Sequence, residues 1–170
     1  MTSLRTLSVS LLITLAGCAS IKEYEQAEPA IPRAFVKVRP EVSSLISSVS
    51  MISIVDEINY CGDPAVNLKR AYRRSDGNPL VTDLNIDGFW VPSGKRVPFS
   101  AIVLSDKGTC GVWASFLPEA GKTYEIRMKG NGKIFDWETA ECAFTVSRLI
   151  PEGSAESSEA GYRTEVCRPR

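Results

Sequence analysis

The chain reads as all-β, an antiparallel β-sandwich of Ig-like architecture, and three observations predict it. Apolar residues recur with a period of two along most of the chain beyond residue 33, the spacing that sends alternate side chains to opposite faces of a strand. Turn residues punctuate these runs at Asp76-Gly77-Asn78-Pro79, Pro92-Ser93-Gly94-Lys95 and Pro118-Glu119-Ala120-Gly121-Lys122, where glycine, proline and aspartate each satisfy a backbone need. Only two stretches suit a helix, Val42 to Ile54 and Ala65 to Arg74, and serines and β-branched residues weaken the first. About seven or eight short strands with frequent turns suit two packed sheets rather than a helical fold. An apolar fraction of 44% is enough to fill a core between them.

Taken in order, Phe35-Val36-Lys37-Val38-Arg39 alternates before Pro40. Leu80-Val81-Thr82-Asp83-Leu84-Asn85-Ile86 alternates again, with Leu84 and Ile86 on one face. Val97 to Leu104 and Cys110 to Leu117 are continuous strand candidates. Tyr124, Ile126 and Met128 face one side of the next strand, with Glu125, Arg127 and Lys129 on the other. Asn131-Gly132 follows, a strong hairpin signal because type I′ turns need positive φ. Cys142 to Arg148 is the last core strand, and Tyr162 to Cys167 is a further candidate.

The two ends read differently. Arg5 precedes the apolar run Leu7-Ser8-Val9-Ser10-Leu11-Leu12-Ile13-Thr14 and the tetrapeptide Leu15-Ala16-Gly17-Cys18. A positive start, a short apolar run and small residues before a cut site describe an export signal; the run is shorter than the roughly 20 residues a membrane helix needs. Leu15-Ala16-Gly17-Cys18 resembles the lipobox of bacterial lipoproteins. That resemblance implies a diacylglyceryl group on the Cys18 sulfur, cleavage ahead of Cys18 and acylation of the new amino terminus. Two or three acyl chains hold a protein at a bilayer where one holds it marginally. Ala19-Ser20 lacks the Asp that retains such lipoproteins in the inner membrane, so the resemblance places the chain on the periplasmic face of the outer membrane. The expected organisation is a signal peptide over 1–17, a lipidated terminus and linker over 18–33, the sandwich over 34–150, and a flexible C-terminal segment over 151–170, tethered by a disulfide.

Apart from Cys18 there are four cysteines, Cys61, Cys110, Cys142 and Cys167. An even number in an exported domain favours two disulfides. Of the three pairings, Cys110–Cys142 with Cys61–Cys167 is the one expected. The same four make a poor zinc site, being widely separated, with no C-x-x-C and no histidine in the chain,. No metal and no cofactor is expected.

The absence of histidine also removes Ser-His-Asp and Cys-His chemistry, and no phosphate-cradling glycine loop occurs. Asp83-Leu84-Asn85-Ile86-Asp87-Gly88 matches the first half of a calcium loop, but Gly94 stands where a bidentate Glu is needed,; a strand with polar residues outward is the expected reading. Asp136 and Glu138 flank Trp137, with Glu141 nearby, and read as a solvated face rather than an acid/base pair, which needs a cleft. Ser93 near Lys95 is a turn spacing common by chance. Of the tryptophans, Trp113 is expected inside and Trp137 exposed.

Equal numbers of basic and acidic residues, 20 of each, argue against a nucleic-acid surface. The densest basic cluster, Lys69, Arg70, Arg73 and Arg74 around Tyr72, reads first as a solvated face, with anionic headgroups, glycan or an acidic partner as what it could meet; together with an exposed Trp137 it is the candidate binding surface for an envelope protein or glycan. From Ile86 through Val146, the run Val91-Pro92-Ser93-Gly94-Lys95, Cys110, Phe116 to Tyr124 and Cys142 resembles small uncharacterised envelope lipoproteins. The expected function is that of a non-enzymatic binding or structural envelope component. Its rivals are an inhibitor of a lytic enzyme such as lysozyme, similar to small periplasmic β-rich lipoproteins of that kind, and an envelope enzyme.

Overall fold

The computed structural model describes residues 21–42, 46–55, 68–106, 108–131, 141–150 and 163–165. Its elements are all strands: β1 (Lys22–Glu23), β2 (Arg33–Val42), β3 (Ser48–Val55), β4 (Leu68–Asp76), β5 (Phe89–Pro92), β6 (Val97–Ser105), β7 (Gly108–Phe116), β8 (Thr123–Asn131), β9 (Glu141–Leu149) and β10 (Arg163–Glu165). They form a six-stranded sheet in the order β1-β4-β3-β6-β7-β10 and a four-stranded sheet in the order β5-β2-β8-β9. The protein is a β-sandwich. The sheets are mixed rather than purely antiparallel, because β1 runs parallel to β4 and β2 parallel to β8.

Period two builds the core as expected. Ala34 and Val36 of β2, Phe89 and Val91 of β5, Tyr124, Ile126 and Met128 of β8, and Phe144 and Val146 of β9 turn inward from the smaller sheet. Ile52, Ile54, Tyr72, Phe99, Ala101, Val103, Cys110, Ala114 and Phe116 meet them from the larger one. Phe116 packs on Phe99 within its own sheet at 6.1 Å and on Tyr124 across the sandwich at 5.2 Å between ring centroids, edge-on and tilted geometries that aromatic quadrupoles favour.

Several expectations need correction. The described parts of both helix candidates are strands, β3 and β4. In β3, Ser48, Ser50, Ile52 and Ile54 are buried at alternate positions, so the serines lie in a two-residue rhythm that a helix cannot bury. The alternation of Leu80 to Ile86 does not make a strand: the segment holds turns and one bridge, Leu84 to Arg73, with Leu80 92% and Ile86 53% exposed. Asn78-Pro79 and the left-handed Asn85 (φ 49°) break the extended backbone there. Asn131 pairs with Glu141, so the β8–β9 connection is residues 132–140 rather than a two-residue turn at Asn131-Gly132. Trp113 is only half-buried, because it sits on the outward parity of β7 between inward Val112 and Ala114.

The expected linker is partly domain. Lys22 and Glu23 pair with Lys69 and Arg70, and the Tyr24 amide donates to the Arg70 carbonyl at 2.9 Å. Tyr24 then meets Phe89 edge-on at 6.3 Å, and the amide of Ala27, a buried residue, donates to the Trp90 carbonyl at 3.2 Å. Arg33 stacks 4.1 Å above the Trp90 ring and donates to the Ala27 carbonyl. Residues 21–33 therefore run from the β4 edge of one sheet to the β5 edge of the other.

Candidate binding surface

β4 carries the basic cluster, and a β-bulge decides what that cluster can do. In a regular strand, residues three apart face opposite sides. The register of β4 on β3 shifts between Ile52 and Ser53: Met51 lies opposite Arg73 and Ser53 opposite Arg70. Met51 and Ser53 share a face, so Arg70 and Arg73 do too. The extra residue is Ala71, buried with Tyr72, and such a bulge re-aims the side chains on either side of it.

Arg70 and Arg73 line one cavity of about 500 Å³. Val49, Met51, Val81 and Leu104 supply its apolar lining, Ser47, Ser48, Ser105 and Asn78 its polar lining, and Asp106 its carboxylate. Arg73 is held by its Nε–H, which donates to the Thr82 carbonyl, and by two backbone bonds to Leu84 of 2.8 and 3.0 Å. The Asp83–Gly88 motif works as the brace for this arrangement. Asp83 Oδ1 accepts from the Ser75 amide at 2.8 Å. Asn85 Nδ2 donates to the Ala71 carbonyl at 2.8 Å while its Oδ1 accepts from Gln26 at 3.1 Å. Two of the oxygen-bearing side chains of the calcium-loop match thus tie the 78–88 segment to β4 and to the N-terminal strap.

Like Arg33 and Arg96, the two arginines are in no ion pair with a described carboxylate, whereas among the described residues Arg39, Arg74, Arg127 and Arg148 each have a carboxylate within 4 Å. Arg70 Nε is buried without a partner among the described residues, a condition that costs about 1–3 kcal/mol. Burial, and then repulsion from Arg73, lowers the Arg70 pKa, with Glu23 opposing. Tyr72, turned inward between them, has its hydroxyl pushed up to about 12, mainly by burial.

The remaining candidates are not gathered here. Arg74 pairs with Asp76 at 3.3 Å and is not part of the cavity lining, and Lys69 lies opposite Lys22 at the β1 edge. Ser93 and Gly94 form a turn tied by backbone bonds to Pro32 and Pro118. Cys110 is buried on the inward face of β7 at 6% exposure. Trp137, Asp136, Glu138, Cys61 and Cys167 lie outside the described residues, as do the side chains of Cys142 and Glu141. The Arg70–Arg73 pairing was invisible to spacing because nothing in the sequence marks Ala71 as a bulge. No protein-family model, no curated protein and no solved structure matches the chain.

Proposed function

We propose that the chain is a lipid-anchored, periplasm-facing lipoprotein of the outer membrane that acts as a non-enzymatic binding component of the envelope, with the Arg70–Arg73 cavity as its binding site. The observation that carries the binding role is the pair of guanidiniums, in no ion pair with a described carboxylate, lining a cavity that also has apolar residues. The anchor rests on Leu15-Ala16-Gly17-Cys18. Only Ala19-Ser20 separate Cys18 from Ile21, the residue that leads into β1. A domain so joined sits at the headgroups rather than on a long leash. The lack of any histidine favours binding over hydrolysis.

The disulfide reading belongs with this address, because bridges persist in an oxidising periplasm. Cys110 shares its inward parity with Ala114 and Phe116, and Cys142 precedes Phe144 and Val146 by two and four residues on the facing strand. A Cys110–Cys142 bridge would therefore cross the core between the sheets. Cys61–Cys167 is the pairing left for the other two.

The test of the anchor is Cys18→Ser in cells given labelled palmitate. Loss of label and of membrane fractionation is the expected result, and unchanged fractionation overturns the reading. Peptide mapping without reduction should recover Cys110 linked to Cys142; Cys110 linked to Cys167 would refute that pairing. Inhibition of a lytic enzyme by the purified chain, unaffected by changes at Arg70 and Arg73, would replace the proposed site with the rival inhibitor role.

A further inference from the structure

We infer that the Arg70–Arg73 cavity seats the phosphate of an anionic membrane lipid, so that the domain meets the bilayer by the end of its larger sheet that carries Val49, Met51 and Leu104. This deepens the lipoprotein reading above and depends on it for placement, though the binding of phosphate depends only on the cavity.

Charge is the first argument. The cavity lining carries two arginines against one acid, Asp106, and arginine's planar fork matches phosphate geometry. The two guanidiniums share a face only because Ala71 bulges, and Arg73 is pinned by Thr82 and Leu84. A phosphate held between them offsets a repulsion that Glu23, opposite Arg70, only partly opposes.

The apolar lining is the second argument. Val49, Met51 and Leu104 share the cavity with the arginines, and Leu104 is 38% exposed. On the same outward parity Ile102 and Trp113 are half-buried while Ser53, Pro98, Ser100 and Ser115 are buried, so the accessible part of this face is the end with Val49, Met51 and Leu104. A cationic pair bordered by half-exposed aliphatic side chains suits the interface, where lipid presents phosphate above hydrocarbon,. A soluble anion would use the arginines and leave this border unexplained.

Position is the third. β1 lies directly beside Arg70, with Glu23 opposite it in register. At about 3.3 Å per residue along a strand, Arg73 stands on the order of 15–20 Å from the point where Ser20 joins the domain. Acyl chains at Cys18 therefore deliver this face to the headgroups. Anchor and cavity become two signals on one surface, an arrangement that stable peripheral attachment favours.

The test uses the full chain carrying Cys18→Ser, so that acylation contributes nothing, sedimented with vesicles of phosphatidylglycerol in phosphatidylcholine or of phosphatidylcholine alone. Preference for the anionic vesicles is expected. Arg70→Gln with Arg73→Gln should weaken that binding about thirtyfold, on the order of fivefold per arginine near an anionic surface. Arg73→Gln alone, on the less buried side chain, should cost about fivefold if the double variant misfolds, and Arg70→Lys with Arg73→Lys should restore part of the loss. Arg39→Gln, which removes a charge from the other sheet, should leave binding unchanged. Equal losses from Arg39→Gln and the double variant overturn the inference. So does thermal stabilisation by inorganic phosphate without vesicle binding, which reassigns the cavity to a soluble anion. Because acylation of Cys18 is read separately by palmitate labelling, failure of the anchor and failure of the phosphate seat are distinguishable.

Discussion

Phe116 joins the two sheets, and its removal tests whether the sandwich is held as described. The side chain is 1% exposed and touches Phe99 of β6 and Tyr124 of β8 with centroid separations of 6.1 and 5.2 Å. Tyr124 is itself fixed at its far end, where its hydroxyl oxygen accepts the Glu119 amide proton at 3.0 Å. Phe116→Ala loses the transfer energy of a buried ring and leaves a cavity between two strands that cannot collapse toward each other. That combination costs about 3–5 kcal/mol. Phe116→Leu keeps most of the volume and forfeits chiefly the two ring contacts, about 0.5–1.5 kcal/mol each. The assay is urea unfolding of the oxidised chain followed by tryptophan fluorescence, with the slope against denaturant checked for constancy. Each kcal/mol moves Tm about 2–4 °C in a domain of this size, so Ala should lower it by roughly 6–20 °C and Leu by distinctly less. An Ala variant that loses under about 1 kcal/mol, or no more than Leu, would show that the facing sheets do not meet through this ring.

Two further outcomes follow from local geometry. Gly88 has φ 121°, and a Cβ there would lie 2.5 Å from the Val36 carbonyl oxygen and 2.6 Å from the Phe35 ring, whereas Gly94 at φ 77° has nothing within 4 Å. Gly88→Ala should therefore destabilise beyond Gly94→Ala, which carries only the roughly 1–3 kcal/mol of a strained backbone; equal melting temperatures would refute the close approach. Tyr72, buried on the inner face, has its folded pKa raised from 10.0 to about 12. The folded state holds this proton more tightly, so the contribution is fully present below the unfolded pKa and lost as pH rises from about 10 to about 12. The size is on the order of 2–3 kcal/mol, at about 1.4 kcal/mol per pKa unit. The fall in stability over that window should shrink in Tyr72→Phe, and an identical pH profile would contradict the burial of the hydroxyl.

Much of the architecture was legible because burial in a sheet follows a rule of period two that needs no tertiary knowledge. The inward set Tyr124, Ile126 and Met128 is the clearest case, since the charged residues between them leave one face to bury. The rule failed where local chemistry competed with it. Leu80 to Ile86 alternates in composition, yet Asn78-Pro79 and a left-handed Asn85 turn the backbone, so Leu80 and Ile86 finish exposed. β3 departs from the rule in the opposite sense, because inward serines look polar in sequence and are buried in the fold. The N-terminal strap was also hidden. Its residues carry no periodicity, and only the open edges of β4 and β5 give Lys22 to Ala27 something to bond.

By itself the amino-acid order determined the class of fold, the inward face of most strands and the lack of histidine chemistry, and it alone motivates the proposed leader ending at Cys18. These are properties of neighbours along the chain. The tertiary structure alone decided that the sheets are mixed, that residues 21–33 close one side of the sandwich, and that Arg70 and Arg73 look the same way. That last fact hangs on one unpaired residue, Ala71, set by how β4 meets β3. Register between strands is a contact between distant segments, settled by the packing of a whole sheet, and a single-residue slip reverses which side of the sheet a side chain occupies.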